Sequence, residues 1–166
     1  MDYGSFCQLV EEHGSALYKF CRKLSPNDAD DLYQETFLRV FQRLTLVEVN
    51  AGIKSYLFKA CINLWRSSCR HNALLKLEAI DTALNIASPE LLPLDAAINT
   101  ELSAQVSDEI AKLPEKFRIP LLMHYTAQLS VEEIARAMFI PSGTVKSRLF
   151  KARNLIKARL ENLGYE

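Results

Sequence analysis

The sequence predicts an all-α protein made of two small helical domains joined by a flexible linker. Three observations carry that prediction. The 166 residues include only five glycines and show no sustained alternation of apolar and polar residues, the pattern that makes strands. Apolar residues recur instead at intervals of three and four, as on the buried stripe of a helix. The stretch that breaks this rhythm, residues 72–98, is Leu-rich but acidic and closes on Ser88-Pro89-Glu90-Leu91-Leu92-Pro93, where two prolines interrupt a helix. The domains are accordingly placed at 1–74 and 99–166, with the linker at 75–98.

The first helix is expected over residues 5–23, with Phe6, Leu9, Val10, Leu17, Phe20 and Cys21 at helical spacing. Ser25-Pro26-Asn27 then breaks the chain. A second helix runs from Asp28 to Leu44, opening with carboxylates where the helix dipole favours negative charge. Its apolar members Phe37, Val40, Phe41 and Leu44 fall together, setting Leu32, Thr36, Arg39 and Arg43 aside. Asp31, Gln34, Glu35 and Leu38 share a different side, at i, i+3, i+4 and i+7. That side is polar, compact and not needed for the core.

Asn50-Ala51-Gly52 marks a loop. The next helix is expected from about Lys54 to Arg70, with Tyr56, Leu57, Ala60, Cys61, Leu64 and Ser68 inward and Trp65 at the edge. Lys59, Asn63, Arg66 and Arg70 make an outer stripe, which suits phosphate contacts and stacking on unpaired bases.

Beyond the linker, a helix from about Asp95 to Lys112 ends at Pro114, and Glu115 to Ala127 forms another, kinked at Pro120 or beginning near it. His124 reads as a structural residue, with no second ligand at metal spacing. Ser130-Val131-Glu132-Glu133 is a capping box, and the short helix it starts turns Ile134, Ala135 and Met138 inward before Pro141 ends it.

The last helix, Pro141 to Arg159, holds Lys146, Arg148, Lys151, Arg153, Lys157 and Arg159 and no carboxylate. Val145, Leu149, Ala152 and Ile156 form its apolar stripe; Ser147, Phe150, Lys151 and Asn154 lie opposite, flanked by Lys146 and Lys157. Short helix, tight turn and longer basic helix make a helix-turn-helix, the footprint of a DNA-binding module.

Net charge is zero but unevenly spread. Residues 1–75 hold 9 basic and 8 acidic groups, residues 76–112 hold 2 and 7, and residues 113–166 hold 9 and 5. A neutral total therefore conceals a basic C-terminal module. Cys7, Cys21, Cys61 and Cys69 lack C-x-x-C or zinc-ribbon spacing and read as reduced thiols, with Cys69 and His71 the nearest candidates for a redox or metal role. No metal or cofactor is expected. The N-terminus lacks the regions of a signal peptide and no apolar run approaches the roughly 20 residues of a membrane span, so a cytoplasmic protein without membrane insertion is expected.

Two separated motifs, DADDLYQETFLRVF at 28–41 and LSVEEIARAMFIPSGTVKSRLFKAR at 129–153, with LPEKFR at 113–118, resemble the extracytoplasmic-function sigma factors, small initiation subunits of bacterial RNA polymerase. The resemblance implies a region-2 domain that binds core RNA polymerase and opens the minus-ten element, and a region-4 domain that reads the minus-thirty-five element. By position it implies that Asp31, Gln34 and Glu35 engage the polymerase's largest subunit. Lys59, Asn63, Arg66 and Arg70 would face minus-ten DNA, and the loop around Leu46 to Gly52 would capture a flipped base. Many relatives carry a denser run of arginines where this chain has Arg70-His71-Asn72-Ala73. Thr144, Lys146, Ser147, Phe150 and Lys151 match positions that touch the minus-thirty-five major groove, with Arg148 and Arg153 on phosphates or bracing the helix. The resemblance also implies an anti-sigma factor that masks these surfaces.

Two other readings compete. A stand-alone helix-turn-helix regulator, binding operators as a dimer, would not need the polar face of the second helix. An all-helical metal-dependent nucleotide pyrophosphohydrolase would gather Glu11, Glu12, Asp28, Asp31 and Glu35 as carboxylate ligands.

Overall fold

The computed structural model describes residues 3–43, 52–78 and 100–164, and all regular structure among them is α-helical. Contacts divide the chain into two compact units, Met1–Leu92 and Pro93–Glu166.

In the first unit α1 (Tyr3–Leu24), α2 (Ala29–Arg43) and α3 (Ile53–Glu78) pack around Leu17, Phe20, Leu32, Phe37, Val40, Leu57 and Phe58, all buried. Arg22 and Lys23 in the last turn of α1, and Asp30 and Asp31 in the first turn of α2, place each charge where the helix dipole favours it. Between them Ser25 Oγ donates to Asp28 Oδ2 at 3.2 Å, tightening the turn. Phe20 and Phe58 meet edge to face with centroids 5.3 Å apart, and Phe6 meets Phe41 at 4.9 Å.

The core of this unit is broader than the periodicity predicts. Leu32 and Thr36, set aside from the apolar face of α2, are both buried, because the Thr36 hydroxyl donates to the Leu32 carbonyl at 2.6 Å and hides its polarity inside the helix. On α3, Phe58 and Ile62 are buried while Ser68 is exposed. α3 also continues eight residues past Arg70, through a segment free of Gly and Pro and rich in Leu, Lys and Glu.

The second unit comprises α4 (Thr100–Ala111), α5 (Glu115–Tyr125), α6 (Val131–Met138) and α7 (Ser142–Asn162). Ile119, Leu122, Met123, Leu129, Ile134, Val145, Leu149 and Ala152 form its core. Pro114 caps α5, its carbonyl accepting from Arg118 at 3.0 Å. Pro120 lies inside α5, beyond its first turn, and is itself buried. His124 Nδ1 donates to the Leu129 carbonyl at 3.1 Å, a structural bond that ties α5 to the loop after it. The stretches 44–51 and 79–99, which include most of the expected base-capture loop, the end of the second predicted helix and most of the linker, lie outside the described residues.

Candidate nucleic-acid and protein interfaces

The helix-turn-helix is built by two local devices. At its start Ser130 Oγ accepts from the Glu133 amide at 3.1 Å, while Glu133 Oε2 accepts from the Ser130 amide at 2.8 Å. The capping box thus forms as the sequence predicts. At its end α6 stops at Phe139, not at Ile140: Phe139 adopts the left-handed conformation, φ 59 and ψ 44, and the Ile140 amide donates to the Ala135 carbonyl at 3.1 Å. A non-glycine residue there costs on the order of 1 kcal/mol. Ala137 is buried in place of the half-buried Met138, since the shorter helix ends before Met138 turns fully inward.

α7 then runs from its Pro141 cap with Val145, Leu149 and Ala152 packed inward and Ile156 half-buried. Lys146, Ser147, Phe150, Lys151 and Arg153 are exposed, and Thr144 and Arg148 are half-buried. Ser147 Oγ donates to the Thr144 carbonyl at 3.0 Å, which fixes the hydroxyl on the first turn with its lone pairs outward. Lys146 and Lys151 have no ion-pair partner among the described residues. A long helix presents these cations in a row to any polyanion that reaches it.

The six cations do not all share that face. Arg159 Nη1 lies 3.5 Å from Glu109 Oε2 on α4, and Lys157 Nζ lies 3.7 Å from Glu161 Oε1. Arg153 Nη1 donates to the Tyr125 hydroxyl at 3.2 Å. Sequence gave no signal for the Tyr125 or Glu109 partnerships, which join residues 28 and 50 positions apart.

In the first unit Asp31, Gln34, Glu35 and Leu38 are exposed together on α2, and Leu38 leaves 54% of its surface to solvent. Glu35 Oε1 accepts from Arg39 Nε at 2.9 Å, a surface pair that braces one edge of the face. A groove of about 670 Å³ separates this face from α3, where Trp65, Ser68, Cys69 and His71 line the opposite wall. Trp65 is thus part of a groove wall, a placement its edge position on the wheel leaves open. On α3 Asn63 and Arg70 are exposed, and Lys59 and Arg66 are half-buried. The spacing of four, three and four along one continuous helix puts all four on one side. The carboxylates Glu11, Glu12, Asp28, Asp31 and Glu35 do not gather: among the described residues no three metal-ligating side chains could hold a metal ion.

Two family descriptions match this architecture, Sigma-70 region 2 over residues 9–74 and Sigma-70, region 4 over residues 103–156. The chain belongs to the sigma-70 family. Sigma-70 proteins are transcription initiation factors and not enzymes. Among relatives, this chain is 27% identical to the ECF RNA polymerase sigma factor SigW of Bacillus subtilis, over 98% of this chain and 92% of that one. It is 28% identical to the ECF RNA polymerase sigma factor SigE of Mycolicibacterium smegmatis, over 92% of this chain and 60% of that protein. The fold is similar to that of the sigma factor RpoE from Bartonella quintana, solved with the anti-sigma factor NepR, at a TM-score of 0.79 and 21% identity, covering 95% of this chain and 97% of that one. This sigma-70 chain has, among its described residues, no helix long and apolar enough to cross a membrane.

Proposed function

We propose that this chain is an alternative sigma factor of the extracytoplasmic-function type, working in the cytoplasm with core RNA polymerase and promoter DNA. Residues 1–74 bind the polymerase through Asp31, Gln34 and Glu35 and the minus-ten element through Lys59, Asn63, Arg66 and Arg70. Residues 99–166 read the minus-thirty-five element through Thr144, Lys146, Ser147, Phe150 and Lys151 in the major groove. Arg148 and Arg153 serve the phosphates or the helix, and the Tyr125 hydroxyl, which holds Arg153, supports that division. Residues 75–98 are the tether, of which 75–78 still belong to α3.

The observation that carries this reading is the pairing of two unlike surfaces in one chain, an exposed polar face on α2 and an exposed basic face on α7. Each alone gives a weak contact, and joining them raises effective affinity without adding contacts. An anti-sigma factor that covers these faces is the matching regulator, and the complex formed by RpoE and NepR supports it. Run-off transcription with core polymerase on a promoter library tests the proposal. Wild type should give discrete starts downstream of two spaced elements; random starts equal to those of core alone would refute it.

A further inference from the structure

The core of the N-terminal unit holds a pair of side chains that neither the polymerase nor the promoter surface uses. Cys21 on α1 and Cys61 on α3 bring their sulfurs to 3.6 Å of each other across 40 residues of sequence. Both are fully buried. α2 packs broadly on both neighbours, whereas α1 and α3 meet over a smaller area, and the two sulfurs sit in that contact beside the Phe20 and Phe58 rings. A shared S–H···S hydrogen bond, reinforced by burial, pushes the Cys21 thiol far above its ordinary range. The reduced pair is therefore neutral and closed to bulky reagents, unlike the exposed Cys69.

We propose that Cys21 and Cys61 are a latent disulfide site, oxidised by a small peroxide, that staples α1 to α3. A disulfide holds its sulfurs about 2.05 Å apart, roughly 1.5 Å closer than these thiols lie. One thiol, as its thiolate, attacks hydrogen peroxide, breaking the O–O bond to give a sulfenic acid and one water after proton transfer. The second thiol then attacks the sulfenic sulfur, forming the S–S bond and releasing a second water. Two electrons and two protons leave the cysteines and reduce one peroxide to two waters. Burial makes the first step slow, because it waits for α1 to part briefly from α3. The same burial then shields the bond from reducing thiols. The loop so closed contains the whole of α2, so the cross-link restricts the unfolded chain and protects the unit's fold during oxidation.

The test uses the full chain carrying Cys7→Ala and Cys69→Ala, incubated with excess hydrogen peroxide at neutral pH. Unreduced peptide mapping should find Cys21 joined to Cys61 within one chain, two hydrogens lighter, and the N-terminal unit's melting transition should rise by roughly 5–10 °C. Dithiothreitol should reverse both changes. Adding Cys61→Ala, or separately Cys21→Ala, should abolish the rise while far-ultraviolet circular dichroism keeps its helical signal. Absence of the bond after prolonged incubation, sulfinic acid at either position, chains linked to one another, or a bond that leaves the transition unmoved or lowers it would each overturn the proposal. A rise that persists in either additional variant would overturn it as well.

Discussion

Arg159, near the end of the recognition helix α7, places Nη1 3.5 Å from the carboxylate of Glu109 on α4 and 3.4 Å from the Glu109 carbonyl oxygen. Lys112 completes the arrangement from its own helix, with Nζ 2.7 Å from Glu109 Oε1. One buried carboxylate thus holds two cations and ties the DNA-facing helix to the helix that begins the unit. Arg159 is the one member of the basic run whose charge is matched from another helix.

The Lys112 hydrogen bond, ahead of the Lys112 and Arg159 charges, holds the Glu109 carboxyl below its ordinary value of 4.5, against the opposing effect of burial. A carboxyl with a lowered native pKa stabilises the fold fully above its unfolded value, and that contribution is lost as pH falls through the native value. The C-terminal unit of the wild type should therefore melt progressively earlier from about pH 4.5 downward, and Glu109→Gln should flatten that dependence. Thermal melts across this range check it; parallel curves would contradict it.

Gly14 on α1 is held to glycine by Tyr33. A Cβ at position 14 would lie 2.8 Å from the Tyr33 hydroxyl oxygen. Alanine gains about 1 kcal/mol in helix propensity, but overpacking costs about 1–3 kcal/mol. Gly14→Ala should therefore destabilise the N-terminal unit, and adding Tyr33→Phe should turn it neutral or stabilising. Urea unfolding of the two variants reads the sign directly.

The Ser130 cap carries the short helix α6, which has only eight residues. Ser130→Ala removes the acceptor of the Glu133 amide and should cost about 1 kcal/mol. The loss should appear in the C-terminal unit's unfolding transition and leave that of the N-terminal unit unchanged.

Lys146 and Lys151 differ from Arg159 in facing outward along α7. If they meet phosphates or bases, each Ala substitution should lower the salt slope of promoter binding by about 0.9, whereas Arg159→Ala should leave the slope and lower stability. Binding titrations of the polymerase complex over a series of salt concentrations separate the two classes.

How much was legible follows the range of the physics. The α7 stripe, the capping box and the polar side of α2 are local, set by residues within two turns of each other, and helical spacing alone exposes them. The buried Thr36 was hidden because its hydroxyl bonds to Leu32 within the same helix and so behaves as apolar. Phe58 and Ile62 were missed because α3 is covered over more of its circumference than a single stripe allows. The Arg159–Glu109 tie and the Cys21–Cys61 contact join distant positions, and no periodicity encodes them.

The central claim is that α2 presents a docking face for core polymerase, and one measurement meets it head on: the affinity of the full chain, free of any inhibitor, for purified core enzyme. The wild type should bind, and Gln34→Ala combined with Glu35→Ala should lose that affinity by at least tenfold, about 1.4 kcal/mol, with both melting transitions intact. Equal affinity in the two proteins, or no association of the wild type at all, would contradict the account.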